Sequence, residues 1–385
     1  MQTLHERLER RRADRLYRRR LILDSPQGAE VVVDDARLLS FCSNDYLGLA
    51  NDPRVIAAFE AGARRYGVGS GASHLVSGHA RVHHALEEEL AAFVGTERAL
   101  LFSTGYLANL GVATALAERH GVVYEDRLNH ASLIDAARLT RAKLARFPHA
   151  DVNRLQALLE KATQVPRLIL TDAVFSMDGD LAPLGALTRL AQQHGARLLV
   201  DDAHGLGVLG ANGRGTFEHL DVKLAPPAIL MGTLGKAFGT FGAFVAAEAD
   251  LIETLIQQAR TYIYTTALPP AVAEATRASL RIVQTEPWRR AQLRDLVARF
   301  RRGAHELGFV LGDSPTPIQP LVLGTAATAL AASQQLREQG ILVPAIRPPT
   351  VAAGSARLRI TFSATHTPAQ VDRLLAALAT LRRKP

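Results

Sequence analysis

The chain has 385 residues, 48% of them hydrophobic, with a single cysteine and a formal charge of +8. That length suits two domains with a sizeable core, and one cysteine excludes an intramolecular disulfide and fits a reducing cytoplasm. No stretch is apolar and long enough for a membrane span, and the charged first residues lack the apolar core of a signal peptide.

Much of the positive charge gathers between Arg7 and Arg20. It reads either as a solvated helix with Leu4, Leu8 and Leu16 inward or as a contact for an acidic partner such as a phosphorylated cofactor. No aromatic interleaving or nucleic-acid motif accompanies it, so no nucleic-acid partner is expected. Glu30 to Phe41 reads as two short strands around a turn at Asp34-Asp35. Pro53 opens a helix behind the cap at Asn51-Asp52. The stretch Gly67 to His74 is too glycine-rich for regular structure, and an amphipathic helix, Val82 to Phe93, follows it.

From Ala99 short apolar strands alternate with helices. Strands are expected at 99–102, 122–124, 168–170, 198–200, 229–231 and 243–246, and helices at 107–116, 133–144, 151–162 and 183–195. Such alternation predicts an α/β fold with a mostly parallel sheet covered on both faces. Beyond Pro269-Pro270 the pattern changes to a long helical segment, 271–307, broken near Pro287. A strand at 315–323, a helix at 326–339, a strand at 357–362 and a helix capped by Thr367-Pro368 complete it. The division expected is an N-terminal arm, 1–45, a large domain, 46–280, and a smaller α+β domain, 281–385.

Ligands of open α/β sheets sit beyond the carboxyl ends of strands. Three such ends carry chemistry. After Phe102, Ser103-Thr104-Gly105-Tyr106 opens a helix, a ready phosphate site. After Val200 come Asp201 and His204, a carboxylate with a nearby imidazole; a lone Asp there is commonly only a turn or cap residue. After Met231 come Thr233 and Lys236 among glycines. An exposed lysine on a glycine-rich turn is one reading of that segment; a confined lysine, its pKa lowered so that the neutral amine forms a Schiff base, is the other. Together the three ends supply what pyridoxal phosphate requires: an amine for the aldehyde, a carboxylate for the pyridine nitrogen and a helix start for the phosphate. His74, His79, His83 and His84 suggest a metal cluster, but helical spacing puts the last two on different faces and no acid or cysteine is seen to complete it, so no metal is expected.

Several segments then make the chain resemble the α-oxoamine synthases, fold-type-I pyridoxal-phosphate enzymes that condense an amino acid with an acyl thioester. The carriers are Ser43 to Gly48 (SNDYLG), Ser73 to His79, Asp126 to Ser132, Val174 to Asp180, Val200 to Gly205, Thr233 to Lys236, Ala345 to Thr350 and Ala356 to Arg359. The Ile-Arg-Pro-Pro-Thr stretch points to the biotin-pathway branch. Val351-Ala352-Ala353-Gly354 departs from the Val-Pro common in relatives and loosens the expected acyl-pocket loop.

The resemblance implies that Lys236 carries the cofactor and that Asp201 pairs with the pyridine nitrogen. His204 and Ser176 meet the ring oxygen, and His130 stacks on the ring face. Gly105, Tyr106 and Thr233 take the phosphate. It makes Arg359, with Asn44, the substrate-carboxylate site, and Thr350 with one arginine of 18–20, taken as Arg18, the acyl-donor site. It implies L-alanine and pimeloyl-CoA or a pimeloyl-acyl carrier protein as substrates, and a cytoplasmic homodimer with shared sites, Thr265 or Thr266 reaching the neighbour's phosphate. Sibling reactions on the same scaffold are those of glycine C-acetyltransferase, 5-aminolevulinate synthase and serine palmitoyltransferase. A non-catalytic binding subunit would lack Lys236.

Overall fold

The computed structural model describes residues 2–161 and 165–382. It divides into two compact units, one of Met1–Gly48, Met177–Gly179 and Ala291–Pro385, the other of Leu49–Ser176 and Asp180–Arg290. In chain order the strands are β1 (Glu30–Val33), β2 (Ala36–Ser40), β3 (Arg98–Phe102), β4 (Val122–Asp126), β5 (Lys143–Phe147), β6 (Arg167–Asp172), β7 (Arg197–Asp201), β8 (Ala228–Thr233), β9 (Ala243–Ala247), β10 (Ile318–Gly324), β11 (Ile341–Leu342), β12 (Ala345–Ile346) and β13 (Ala356–Thr361). The helices used below are α1 (Leu4–Ala13), α2 (Pro53–Tyr66), α3 (Arg81–Val94), α4 (Gly105–Leu116) and α5 (Ala131–Leu139).

The second unit is built on a seven-stranded sheet of order β3-β9-β8-β7-β6-β4-β5. Five neighbouring strands, β5, β4, β6, β7 and β8, run parallel, and β9 runs against both β8 and β3. This is the mostly parallel α/β sheet that the strand–helix alternation predicts. Its strands are continuous apolar runs because helices cover them: Leu100, Val123, Leu170, Leu199, Ile229 and Val245 are all buried in one cluster with Val112 and Leu133. Each such side chain contributes about 1.5–3 kcal/mol relative to exposure.

Two expectations fail here. The helix expected over 133–144 ends at Leu139, and Lys143–Phe147 is β5, parallel to β4. Arg141 takes a left-handed φ of 61°, which stops the helix. β5 is an edge strand, so its exposed faces lack the apolar alternation that identifies a strand. The glycine-rich stretch is irregular as expected up to Ser73, but from His74 the chain forms a single π turn, His74–Gly78. The helix begun at Asp151 runs over Val152–Glu160, and its expected end, Ala162, lies outside the described residues.

In the first unit β1 and β2 form the expected hairpin. Asp34 and Asp35 have φ of 50° and 59°, the paired left-handed conformation of a two-residue hairpin turn. β11 adds to β2 in parallel, and β10, β13 and β12 make a separate antiparallel sheet. α1 is capped at Thr3 by a reciprocal bond with Glu6. The leucines expected on its inner face are not covered: no residue of α1 is buried, and Leu4 and Leu8 are exposed. Leu16 lies beyond its end.

Candidate active site

The carboxyl ends of β3, β7 and β8 open on one cavity of about 220 Å³ in the second unit. Gly105, Tyr106, His130, Ser176, Asp201, His204, Thr233 and Lys236 all line it, so residues drawn from across 132 positions of sequence meet in one place.

β7 ends in Asp201. Its Oδ2 accepts a hydrogen bond from Asn109 Nδ2 at 2.7 Å, and its Oδ1 accepts the Ala203 N–H at 3.0 Å. Both bonds aim a buried carboxylate from fixed donors. Three residues on, His204 Nε2 lies 3.2 Å from Lys236 Nζ. Lys236 is half-buried, on the turn after β8, where Leu234 N–H bonds Gly242 O and Thr240 N–H bonds Leu234 O. The lysine is thus partly enclosed and not exposed on the turn. Thr233, at the end of β8, bonds Gly242 O through its hydroxyl at 3.2 Å.

β3 ends before Thr104, the N-cap of α4, whose hydroxyl accepts the Leu107 N–H at 3.2 Å. A Cβ on Gly105 would lie 3.4 Å from Met231 Cε, so the helix start sits close to β8. The Tyr106 hydroxyl bonds Asp135, which leaves backbone N–H groups of the first turn as its contribution to the cavity.

His130 is the N-cap of α5. Its backbone N–H donates to Asp172 Oδ2 at 2.9 Å, and its ring Nδ1 lies 2.8 Å from Ser132 Oγ. Burial pushes its pKa down, the Asp201 charge pushes it up, and the Lys236 charge pushes it down again. Burial, then repulsion from Asp201, holds the Asp172 carboxyl well above the usual range.

Sequence reasoning missed the residues behind this wall. Asn109 donates to both Asp201 and Ser132 and is fully buried. An asparagine amid the apolar residues of α4 is the signal that could have found it. Asp172 also lines the cavity, and its Oδ1 has no hydrogen-bond partner among the described residues. Below them, the His149 ring bonds Asp126 through Nδ1 at 3.2 Å and Asp180 through Nε2 at 2.7 Å. These two carboxylates raise its pKa to about 10, against the effect of burial. Asp202, fully buried, accepts the Thr216 N–H and hydroxyl, both at 2.6 Å, and ties down the turn that carries His204.

Four expected residues lie in the first unit. Arg359 on β13 is buried and donates to Asn44 Oδ1 at 3.2 Å; Asn44 also accepts the Tyr46 hydroxyl at 3.1 Å. Arg18 NH2 donates to Thr350 Oγ1 at 3.1 Å, so of the three adjacent arginines Arg18 meets the expected threonine. Arg347 bonds the backbone carbonyls of Arg15 and Tyr17. Arg357 donates to Met177 O at 3.0 Å and pairs with Asp178.

The cavity residues fit pyridoxal phosphate. A buried carboxylate held by two donors, an amine next to an imidazole, an orphaned Asp172 oxygen and a helix start with glycine at its first position are the donor set it needs.

The aminotransferase class I and II family model matches residues 36–378. The chain is 63% identical to an 8-amino-7-oxononanoate synthase of Methylococcus capsulatus over 363 residues, 94% of either protein. A solved serine palmitoyltransferase bearing pyridoxal phosphate is 32% identical with a TM-score of 0.91, over 94% of this chain and 92% of that one. A solved 8-amino-7-oxononanoate synthase of Francisella tularensis is also 32% identical, with a TM-score of 0.78, over 89% of this chain and 97% of that one.

Proposed function

The chain belongs to the aminotransferase class I and II family and, within it, to the 8-amino-7-oxononanoate synthases, and from that premise we propose what each residue of the site does. It is a pyridoxal-phosphate-dependent acyltransferase of biotin biosynthesis. It condenses L-alanine with a pimeloyl thioester, releasing CO₂ and the free thiol carrier and giving 8-amino-7-oxononanoate.

Bound pyridoxal phosphate supplies an aldehyde for the substrate amine and an electron sink for charge at its Cα. Lys236 Nζ holds the cofactor at rest and then takes the alanine Cα proton. His204 Nε2, 3.2 Å from Nζ, and Ser176 bind on the ring-oxygen side. Asp201 holds a proton on the pyridine nitrogen, and Asn109 keeps that carboxylate in place. The first N–H groups of α4 at Gly105 and Tyr106, with the Thr233 hydroxyl, bind the phosphate. His130, on the cavity wall, would help to hold the cofactor ring. Arg359 binds the substrate carboxylate as a planar fork, with Asn44 orienting it. Alanine Cα bonds the thioester carbonyl carbon, the thiol leaves, the carboxylate departs as CO₂, and a proton returns to Cα.

Arg18 and Thr350 bind the acyl donor, a reading supported by their mutual contact. The donor is carried by coenzyme A or by an acyl carrier protein, either of which brings anionic groups to the arginine-rich arm. The working form is a cytoplasmic homodimer with shared sites, supported by the family and by the lone Cys42; light scattering tests the dimer. No helix among the described residues is long and apolar enough to cross a membrane.

The observation that carries the reading is the single cavity joining Lys236, His204 and Asp201. The test is product formation by mass spectrometry with L-alanine and pimeloyl-CoA or its carrier-protein form. Glycine and serine, with acetyl-, succinyl- and palmitoyl-CoA, are the competing pairs. Faster turnover of serine with palmitoyl-CoA would move the reaction to the sibling whose solved structure resembles this chain.

A further inference from the structure

The π turn His74–Gly78 and the start of α3 gather four histidines and a glutamate outside the catalytic cavity. Two overlapping sets bring their ligand atoms within 4.8 Å of one another: His74, His79 and His83, and His79, His84 and Glu87. His83 and His84 do face different ways, as helical spacing predicts. The acid that the spacing of the histidines leaves out is Glu87, one turn further along α3.

The inner set is a hydrogen-bond cluster. His83 accepts the Ala80 N–H on Nδ1 at 3.0 Å and meets Leu268 O with Nε2 at 2.6 Å, so both its nitrogens are committed. We propose that the outer set, His79, His84 and Glu87, is a binding site for a divalent cation of the zinc class.

Three features support this assignment. His84 and Glu87 are three apart on α3, so they share a face. Glu87 Oε1 accepts the Leu101 N–H at 2.9 Å, while Oε2 lies 4.0 Å from His79 Nε2. His79 Nδ1 lies 2.8 Å from His74 Nδ1, and the His74 ring stacks on Tyr262 at 4.9 Å. With its proton on Nδ1, His79 offers the Nε2 lone pair to the cation, and His74 acts as the outer partner that fixes ring and tautomer. Gly78 holds the turn in place, since a Cβ there would lie 2.0 Å from Ala72 O.

Tetrahedral zinc, with bonds of about 2.0–2.2 Å, keeps its ligand atoms roughly 3.3 Å apart, so Glu87 and His79 close by well under an ångström. His84, 62% exposed, turns in from its contact with Glu88. Two imidazoles and one carboxylate select zinc, cobalt or nickel over magnesium or calcium and leave a fourth position for water. Such a cation would fasten the residue just after the π turn to α3.

The experiment is calorimetric titration of chelator-treated holoenzyme with Zn²⁺, repeated with Co²⁺ and read by difference absorption against the cofactor. One cation per chain is expected, with a rise in melting temperature that saturates with it. His79→Gln, His84→Gln and Glu87→Gln are each expected to weaken binding at least about tenfold, and Glu88→Gln to leave it unchanged. His84→Gln alters an exposed side chain and keeps the test alive should a buried variant misfold. Absence of saturable binding, undiminished binding in any of the three variants that folds, or binding lost with Lys236→Ala instead would overturn the assignment.

Discussion

Two hydrogen bonds of similar length do different work in this protein. Asn109 to Asp201 spans 2.7 Å in the second unit, and Arg18 to Thr350 spans 3.1 Å in the first. Around Asp201 both donors, Asn109 and Ala203, are out of water, as are the neighbouring Ser132 and Asp172. Around Arg18 the side chains are exposed. Stranding a buried donor or acceptor costs about 1–3 kcal/mol, whereas an exposed contact trades freely with water. The buried bond therefore fixes the wall of the cavity, and the exposed one is open to exchange with solvent.

The severest way to break the comparison is to act at the centre of the buried side. Lys236→Ala is expected to lower turnover by about 10²–10⁴-fold, the scale of a lost acid–base group, measured as product per enzyme under saturating substrates. Full activity would remove the cavity from the mechanism. Asn109→Leu keeps the branched shape of the side chain and removes the donor. It is expected to cost about 1–3 kcal/mol in denaturant unfolding and to lower kcat, with KM for the thioester little changed. A stability loss with kcat intact would make the network merely structural.

His149 sharpens the comparison through pH. Its folded pKa, near 10, stands above an unfolded value of about 6.5. The stabilisation from Asp126 and Asp180 is therefore complete below about pH 6.5 and is lost as pH rises through about 10. His149→Gln is expected to unfold more easily than the parent by about 1–3 kcal/mol at pH 6, with the two curves converging toward pH 10. A difference independent of pH would mean that the ring is not charged. The smallest effect belongs to the exposed side. Arg18→Ala is expected to raise KM for the pimeloyl thioester a few-fold without moving kcat or Tm, and to flatten its salt dependence. Arg19→Ala is the control. An equal effect from Arg19 would show that the arm acts only through its summed charge.

What the sequence disclosed follows the same division. Asp201, Thr233 and Lys236 were legible because each follows a short apolar run, where a strand must end and a ligand can sit. Arg18 was separable from its neighbours only by its contact with Thr350, 332 positions away. Asn109, Asp172 and His149 escape a sequence reading because their partners lie 23 to 92 positions off, and no local periodicity records such pairs. β5 reads as the end of a helix because an edge strand need not alternate. The uncovered leucines of α1 show the converse, a pattern that promises burial on an element that has none.

That edge strand also bears on how the chain avoids its own kind. β5 ends the seven-stranded sheet, and an outermost strand presents a row of backbone groups that another chain's strand can pair with. Here it is only five residues long, its first residue is the exposed Lys143, and Arg146 reaches back to the buried Glu125 at 2.7 Å. A second copy adding its own β5 in a fully overlapping antiparallel ladder would set Lys143 against Phe147 and the exposed Leu144 against Arg146, leaving charged side chains on every edge of the seam. The charges on this strand thus act as gatekeepers against sheet-to-sheet aggregation, at a place where a run of valines would have been easier to recognise as a strand and harder to keep in solution.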